Sequence, residues 1–243
     1  MARGLDILYE DGHLLVVNKP AGVLTIPGRQ GGEVALREVL AERLKITSEL
    51  RLVHRLDRPT SGVLVLAKTF DAQRALSHQF RRREVDKDYL ALVRSQPPSP
   101  EGLIDAPLAP HPRRRHLMTV PRTGGRPSRT AWKLVERFRH FSLLRCRLLT
   151  GRQHQIRVHL NHVGLPLAVD ANYGGADALY LSQFKRDYRP TRRGPERPLI
   201  DRLTLHAERL AFTHPATGEP LTITAPLPKD FRATLNQLRK YGR

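Results

Sequence analysis

Cysteine is nearly missing from this sequence: Cys146 is the only one in 243 residues. A single thiol can form no intrachain disulfide and no multi-cysteine metal site, which fits a reducing compartment better than an oxidising one. Cys146 lies in Leu143-Leu144-Arg145-Cys146-Arg147-Leu148-Leu149, the setting of an inert buried thiol rather than a nucleophile. Long apolar runs are missing too, and none approaches the roughly 18 residues that span a bilayer. The segment Met1-Ala2-Arg3-Gly4-Leu5-Asp6 reaches an acidic residue before any apolar stretch, so no signal peptide and a cytoplasmic location are expected. Acidic residues are also scarce, 23 against 42 lysines and arginines, leaving a formal charge of +19. That excess repels itself unless an anionic partner is near, and the runs Arg81 to Arg83 and Arg113 to Arg115 favour phosphate contact. Nucleic acid is the leading partner class, although charge alone does not separate RNA from DNA.

What is present is a chain long enough for a sizeable core, as one domain or two closely fused lobes. Ile7 to Glu10 and His13 to Asn18 are β-prone runs around Asp11-Gly12, a strong hairpin signal. Glu33 to Leu44 carries Val34, Leu36, Val39, Leu40 and Leu44 at helical spacing. Asp71 is the expected N-cap of a second helix reaching about Arg82, with Ala72, Ala75, Leu76 and Phe80 inward. Lys87 to Val93 reads as a strand. Gln96 to Gly102, rich in proline, marks a lobe boundary or an exposed loop. The basic stretch from His111 to Arg129 is an expected arm facing the nucleic acid, with Leu117 to Val120 strand-like. Thr130 to Val135 and Phe141 to Leu149 read as paired strands. Tyr173-Gly174-Gly175 and the basic, proline-bearing stretch from Phe184 to Pro198 make a long excursion, followed by a strand from Leu203 to Phe212 and a helix from Asp230 to Leu238. No internal repeat is found.

The densest chemistry lies in His54-Arg55-Leu56-Asp57-Arg58-Pro59-Thr60-Ser61-Gly62, which runs straight into Val63-Leu64-Val65-Leu66-Ala67. The apolar run has the pattern of a strand buried on both faces. Asp57 therefore sits in the loop feeding a central strand, and the turn formers between them make a fixed mount for a reacting group. Gly151 to Leu160 opens another helix, whose Ile156, Leu160 and Val163 form one apolar stripe. Arg157, His154 and Asn161 lie beside that stripe. His154, His159 and His162 share no helix face and have no familiar ligand spacing, so no metal site is expected.

The stretch from His54 to Lys68 closely resembles the catalytic motif of the RluA-type pseudouridine synthases. The resemblance runs from Ile7 to Pro228 through three ordered markers: His54 to Gly62, Lys87-Asp88-Tyr89, and Gly151 to Leu160. It implies an α+β pseudouridine synthase catalytic fold, with a mixed, mostly antiparallel central sheet in two halves flanked by helices and an RNA cleft between them. It implies one catalytic domain over residues 1–243, with no accessory RNA-binding module ahead of it. Asp57 would be the essential carboxylate that turns uridine in RNA into pseudouridine, Tyr89 would stack on the target base, and Arg157 would pair with the aspartate. Arg55 would face the RNA and fill the place of the turned-out base. Lys19, His54, Thr60 and His154 complete the expected substrate-binding set. The family usually has threonine where this chain has Gln153, which leaves local hydrogen bonding open but not Arg157. His206 has the look of a structural residue.

The reaction breaks the bond from ribose to a base nitrogen, turns the base and rejoins ribose to carbon 5. No redox change or external group is involved, so no cofactor and no metal are expected. One ionised carboxylate could attack ribose, attack the base or remove a ribose proton, and the sequence does not choose. A glycosidase would want a second carboxylate near Asp57, and His54 to Lys68 offers none. A non-catalytic RNA-binding protein would explain the charge but not the trio Asp57, Tyr89 and Arg157. The expected partner is ribosomal or transfer RNA, no membrane is involved, and the protein is expected to be a monomer.

Overall fold

The computed structural model describes residues 6–26, 34–45, 49–190 and 194–242. The chain divides into two compact units, the first made of residues 1–88 and 206–226, the second of residues 89–205 and 227–243.

The first unit opens with the expected hairpin. Strands β1 (Asp6–Glu10) and β2 (Leu14–Lys19) run antiparallel, and the turn is closed by Asp11, whose carboxylate accepts the His13 and Leu14 amides at 2.7 Å each. Helix α1 (Leu36–Arg43), strand β3 (Arg51–Leu52), strand β4 (Ser61–Ala67) and helix α2 (Phe70–Arg82) follow. Strands β11 (Leu205–Thr213) and β12 (Pro220–Thr224) form the closing hairpin. The sheet order in this unit is β1-β2-β4-β11, with β12 on β11 and β3 on β4.

All seven residues of β4 are buried, including the apolar run Val63 to Ala67 that predicts a strand covered on both faces. Strand β2 pairs with it antiparallel along one edge from Leu14↔Ala67 to Lys19↔Gly62. On the other edge, β11 joins parallel at its start and β3 antiparallel at its end. One face, carrying Val63, Val65 and Ala67, packs with Leu14, Val16, Leu210 and Phe212 against Ala72 and Leu76 of α2. Fully burying an aliphatic side chain of this kind stabilises by roughly 1.5 to 3 kcal/mol, so β4 is a firm place to hang a loop.

The second unit holds strands β5 (Asp86–Val93, which begins in the first unit), β6 (Glu101–Asp105), β7 (Ala109–Pro110), β8 (Met118–Thr119), β9 (Arg129–Arg137) and β10 (Ser142–Leu148). It also holds helices α3 (Gln155–His162) and α4 (Lys229–Tyr241). Its sheet order is β5-β10-β9-β6, with the β9 pairings antiparallel, and β7 and β8 make a separate small ribbon. Helix α4 buries Phe231, Leu235 and Leu238, spaced i, i+4, i+7, against Leu90, Leu92, Phe138, Phe141 and Phe184. The architecture is the expected α+β one, with a mixed and mostly antiparallel sheet carrying helices.

Three local expectations change. Helix α1 starts at Leu36 and leaves Val34 at 64% exposure, while Glu33 lies outside the described residues. Thr69, not Asp71, caps α2, accepting the Ala72 amide on its hydroxyl, and Asp71 sits exposed in the first turn. Val163 falls at the end of α3 and is 43% exposed, so the helix buries Ile156 and Leu160 but not the third residue of the expected stripe. Among the described residues, no helix is long and apolar enough to cross a membrane.

Candidate active site

Loop 53–60, which carries Asp57, enters β4 under restraint from several sides. Its strongest anchor is Lys19, at the end of β2. The side chain has no exposed surface, and its ammonium donates to the carbonyls of Pro20, Val23 and Arg58 at 2.9, 2.8 and 3.1 Å. The Gly22 amide donates to the same Arg58 carbonyl, and Arg58 Nε returns a bond to the Gly22 carbonyl. Thr25, also buried, donates its hydroxyl to the Leu56 carbonyl at 2.9 Å. The Thr60 amide closes a turn onto the Asp57 carbonyl at 3.0 Å. A buried cation spread over three carbonyls holds backbone in place, because removing it would strand several acceptors without water. Lys19, expected to contact RNA, here clamps the segments on either side of the loop.

His54 holds the other end. Its ring stacks on Phe80 of α2 with centroids 4.8 Å apart, and its Nε2 accepts the Val65 amide at 3.0 Å. A nitrogen that accepts cannot carry a proton, so the imidazole is neutral. Burial, aided by the nearby Lys87 ammonium, pushes its pKa down to about 3. His54 is thus a brace between β4 and α2. Thr60 is 2% exposed. Arg55 is exposed and Asp57 is half-buried.

Ser61 and Gly62 fix where the loop meets the sheet. Ser61 Oγ lies 2.9 Å from His206 Nδ1, and His206 Nε2 lies 3.2 Å from the Ala225 carbonyl. A carbonyl only accepts, so Nε2 carries the proton, Nδ1 accepts, and Ser61 donates. His206 is fully buried and structural, in line with the sequence reading. Gly62 has φ +121°, and a Cβ there would lie 2.1 Å from the Ala207 carbonyl oxygen. Only glycine lets β4 approach β11 this closely.

In the second unit, Arg157 of α3 is 3% exposed and forms a two-pronged pair with Asp170, Nε and Nη2 each donating at 2.7 Å. The Asp170 carboxylate and carbonyl also gather the loop that follows it, taking amides from Asn172, Tyr173 and Gly175. The Tyr173 ring lies 4.8 Å from the guanidinium carbon, and its hydroxyl sits 2.7 Å from His154 Nδ1. His154 occupies the N-cap of α3 in the left-handed region, at φ 55°, rather than inside the helix. Tyr89, on β5, is 9% exposed.

A buried polar chain sets the start of α3. Gln155 Oε1 accepts from the Thr150 hydroxyl and the Arg152 amide, while its Nε2 donates to the Arg129 carbonyl and Thr130 Oγ1. Thr130 in turn meets His159 Nδ1 at 2.9 Å, and His159 Nε2 meets the Ala106 carbonyl at 2.9 Å. Both nitrogens of His159 are therefore engaged by protein oxygen, and burial lowers its pKa. Gln153, the departure from the family pattern, reaches the His116 carbonyl at 3.4 Å. Asp170 and Tyr173 are the partners of Arg157 that sequence reasoning missed. The sequence signal that could have found them is the pair Gly174-Gly175; in the structure a Cβ there would lie 2.5 Å from Asn161 Oδ1 or 2.4 Å from the Asp170 amide.

The RNA pseudouridylate synthase family matches residues 13–162, a span that contains Asp57, Tyr89 and Arg157. Ribosomal large subunit pseudouridine synthase D of Xanthomonas campestris is 43% identical over 97% of this chain and 70% of its own length. Ribosomal large subunit pseudouridine synthase C of Escherichia coli is 41% identical over 96% of this chain and 70% of its own. Among solved structures, human RNA pseudouridylate synthase domain containing 4 superposes with a TM-score of 0.72 at 27% identity, covering 96% of this chain and 93% of the other. Sequence and fold agree on one conclusion: the chain belongs to the RluA-type family of RNA pseudouridine synthases.

Proposed function

We propose that this enzyme isomerises uridine in large-subunit ribosomal RNA, acting as a cytoplasmic monomer, with Asp57 as the reacting carboxylate. The observation that carries the reading is the mounting of the Asp57 loop. Lys19, Thr25, His54 and the Gly22 backbone all restrain it, while Asp57 itself stays half-buried and Arg55 exposed. A carboxylate presented on so fixed a turn is suited to meet one ribose or base position repeatedly. In this reading Arg157, held flat by Asp170, supplies positive charge to the reaction, and Tyr89 offers an aromatic face to the target base. Arg55 occupies the place that the base vacates. Lys19, His54, Thr60 and His154 serve by positioning. The 243 residues are proposed to work as one catalytic domain.

Ribosomal rather than transfer RNA is favoured because both bacterial relatives described above carry that assignment. The test incubates the purified chain with unmodified large-subunit rRNA and with unmodified tRNA, and maps pseudouridine in each. Modification of discrete rRNA uridines with tRNA untouched is the expected result. Modification confined to tRNA would overturn the substrate assignment.

A further inference from the structure

The basic arm and the buried Arg157 meet at one side chain. Tyr173 is 7% exposed and packs with Leu108, Leu117 and Val158, against Met118 of β8 and Val120 just beyond it. Its hydroxyl accepts the Met118 amide at 2.8 Å and lies 2.7 Å from His154 Nδ1. Its ring lies 4.8 Å from the Arg157 guanidinium carbon, while Asp170 holds two edge nitrogens of that guanidinium at 2.7 Å. A charged fork gripped by a carboxylate still has a rotation about the axis of the grip. An aromatic ring against it limits that rotation and adds a cation–π attraction. The hydroxyl reaches in another direction, to a strand whose own tip carries Arg113, Arg114 and Arg115. That tip is held by local bonds: His111 Nδ1 accepts the Arg113 and Arg114 amides, the His111 amide donates to the Leu117 carbonyl, and the Leu117 amide donates to the Arg114 carbonyl.

We propose that Tyr173 is a positioning residue of the reaction, its ring fixing the Arg157 guanidinium and its hydroxyl tying the basic arm to the start of α3. The proposal rests on Arg157 serving catalysis, as argued above. The two parts of the side chain have separable jobs. The ring governs turnover, and the hydroxyl governs how well the arm is held for RNA.

Three variants assayed by steady-state kinetics on the RNA substrate, each with its melting temperature, test this. Tyr173→Phe keeps the ring and is expected to raise KM several-fold while kcat stays within twofold of the parent, since about 1 kcal/mol of hydrogen bonding is removed from the arm. Tyr173→Leu removes both parts and is expected to raise KM as far and also to lower kcat by about tenfold, the scale of one buried cation–π contact. The recovery of kcat on going from Leu to Phe is a readout that a merely structural tyrosine would not give. Equal kcat in the two variants, or an unchanged KM in Tyr173→Phe, overturns the proposal. Arg157→Ala separates the two claims. Lost turnover in Arg157→Ala beside intact kcat in Tyr173→Leu defeats the positioning role alone, whereas intact turnover in Arg157→Ala defeats the reading of Arg157.

Discussion

His54 shows how an imidazole can brace the loop that carries Asp57. Its Nε2 must be unprotonated to accept the Val65 amide, and the folded-state pKa is held at about 3, below the ordinary 6.5. The folded state therefore refuses a proton that the unfolded chain accepts. Its contribution to stability is complete above about pH 6.5 and declines as pH falls from there towards about 3. His54→Gln, which cannot titrate, is expected to lose less melting temperature between those two limits than the parent does. Parallel pH profiles for the two proteins would show that this imidazole does not titrate with folding. The motif letters pointed to His54 and Lys19 as important, yet as substrate contacts. Their burial, the stack on Phe80 and the three carbonyls around the lysine depend on distant segments meeting, which spacing along the chain does not encode.

At the scale of elements, the β4 apolar run, the Asp11-Gly12 hairpin and the i, i+4, i+7 face of α4 were legible because each is a local periodicity or a local turn chemistry. Helix ends were less so. Thr69 and Asp71 both have capping side chains, and only the backbone decides which one lies outside the first turn. The partners of Arg157 were not legible, since Asp170 lies 13 residues on, past the end of α3, and its grip is made by the turn that Gly174 and Gly175 allow. The junction of β4 with β11 carries a sharper expectation. At Gly62, both φ +121° and the 2.1 Å approach to the Ala207 oxygen forbid a methyl group. Gly62→Ala is expected to destabilise the fold by about 3 kcal/mol or more in denaturant unfolding. A midpoint equal to that of the parent would mean that the strands can part there at no cost.

For the whole molecule, the dominant fact is the +19 charge. Arg113, Arg114, Arg115, Arg122 and Arg126 are all exposed on the arm. The second basic stretch, Lys185 to Arg197, includes residues 191–193, which lie outside those described. Each phosphate contact on single-stranded RNA lowers log affinity by roughly 0.7 per unit of log salt. Replacing Arg113, Arg114 and Arg115 by glutamine is expected to flatten that slope and weaken binding to all RNAs. An unchanged slope would assign the excess charge to another surface. The central claim is that the half-buried carboxylate on the clamped loop does the chemistry, and Asp57→Asn tests it most directly, because the substitution keeps size and shape while removing the charge. In a single-turnover assay on unmodified large-subunit rRNA, the parent should form pseudouridine, and Asp57→Asn should form none while melting and binding RNA as the parent does. Pseudouridine formed by Asp57→Asn at the parent's rate would contradict the account.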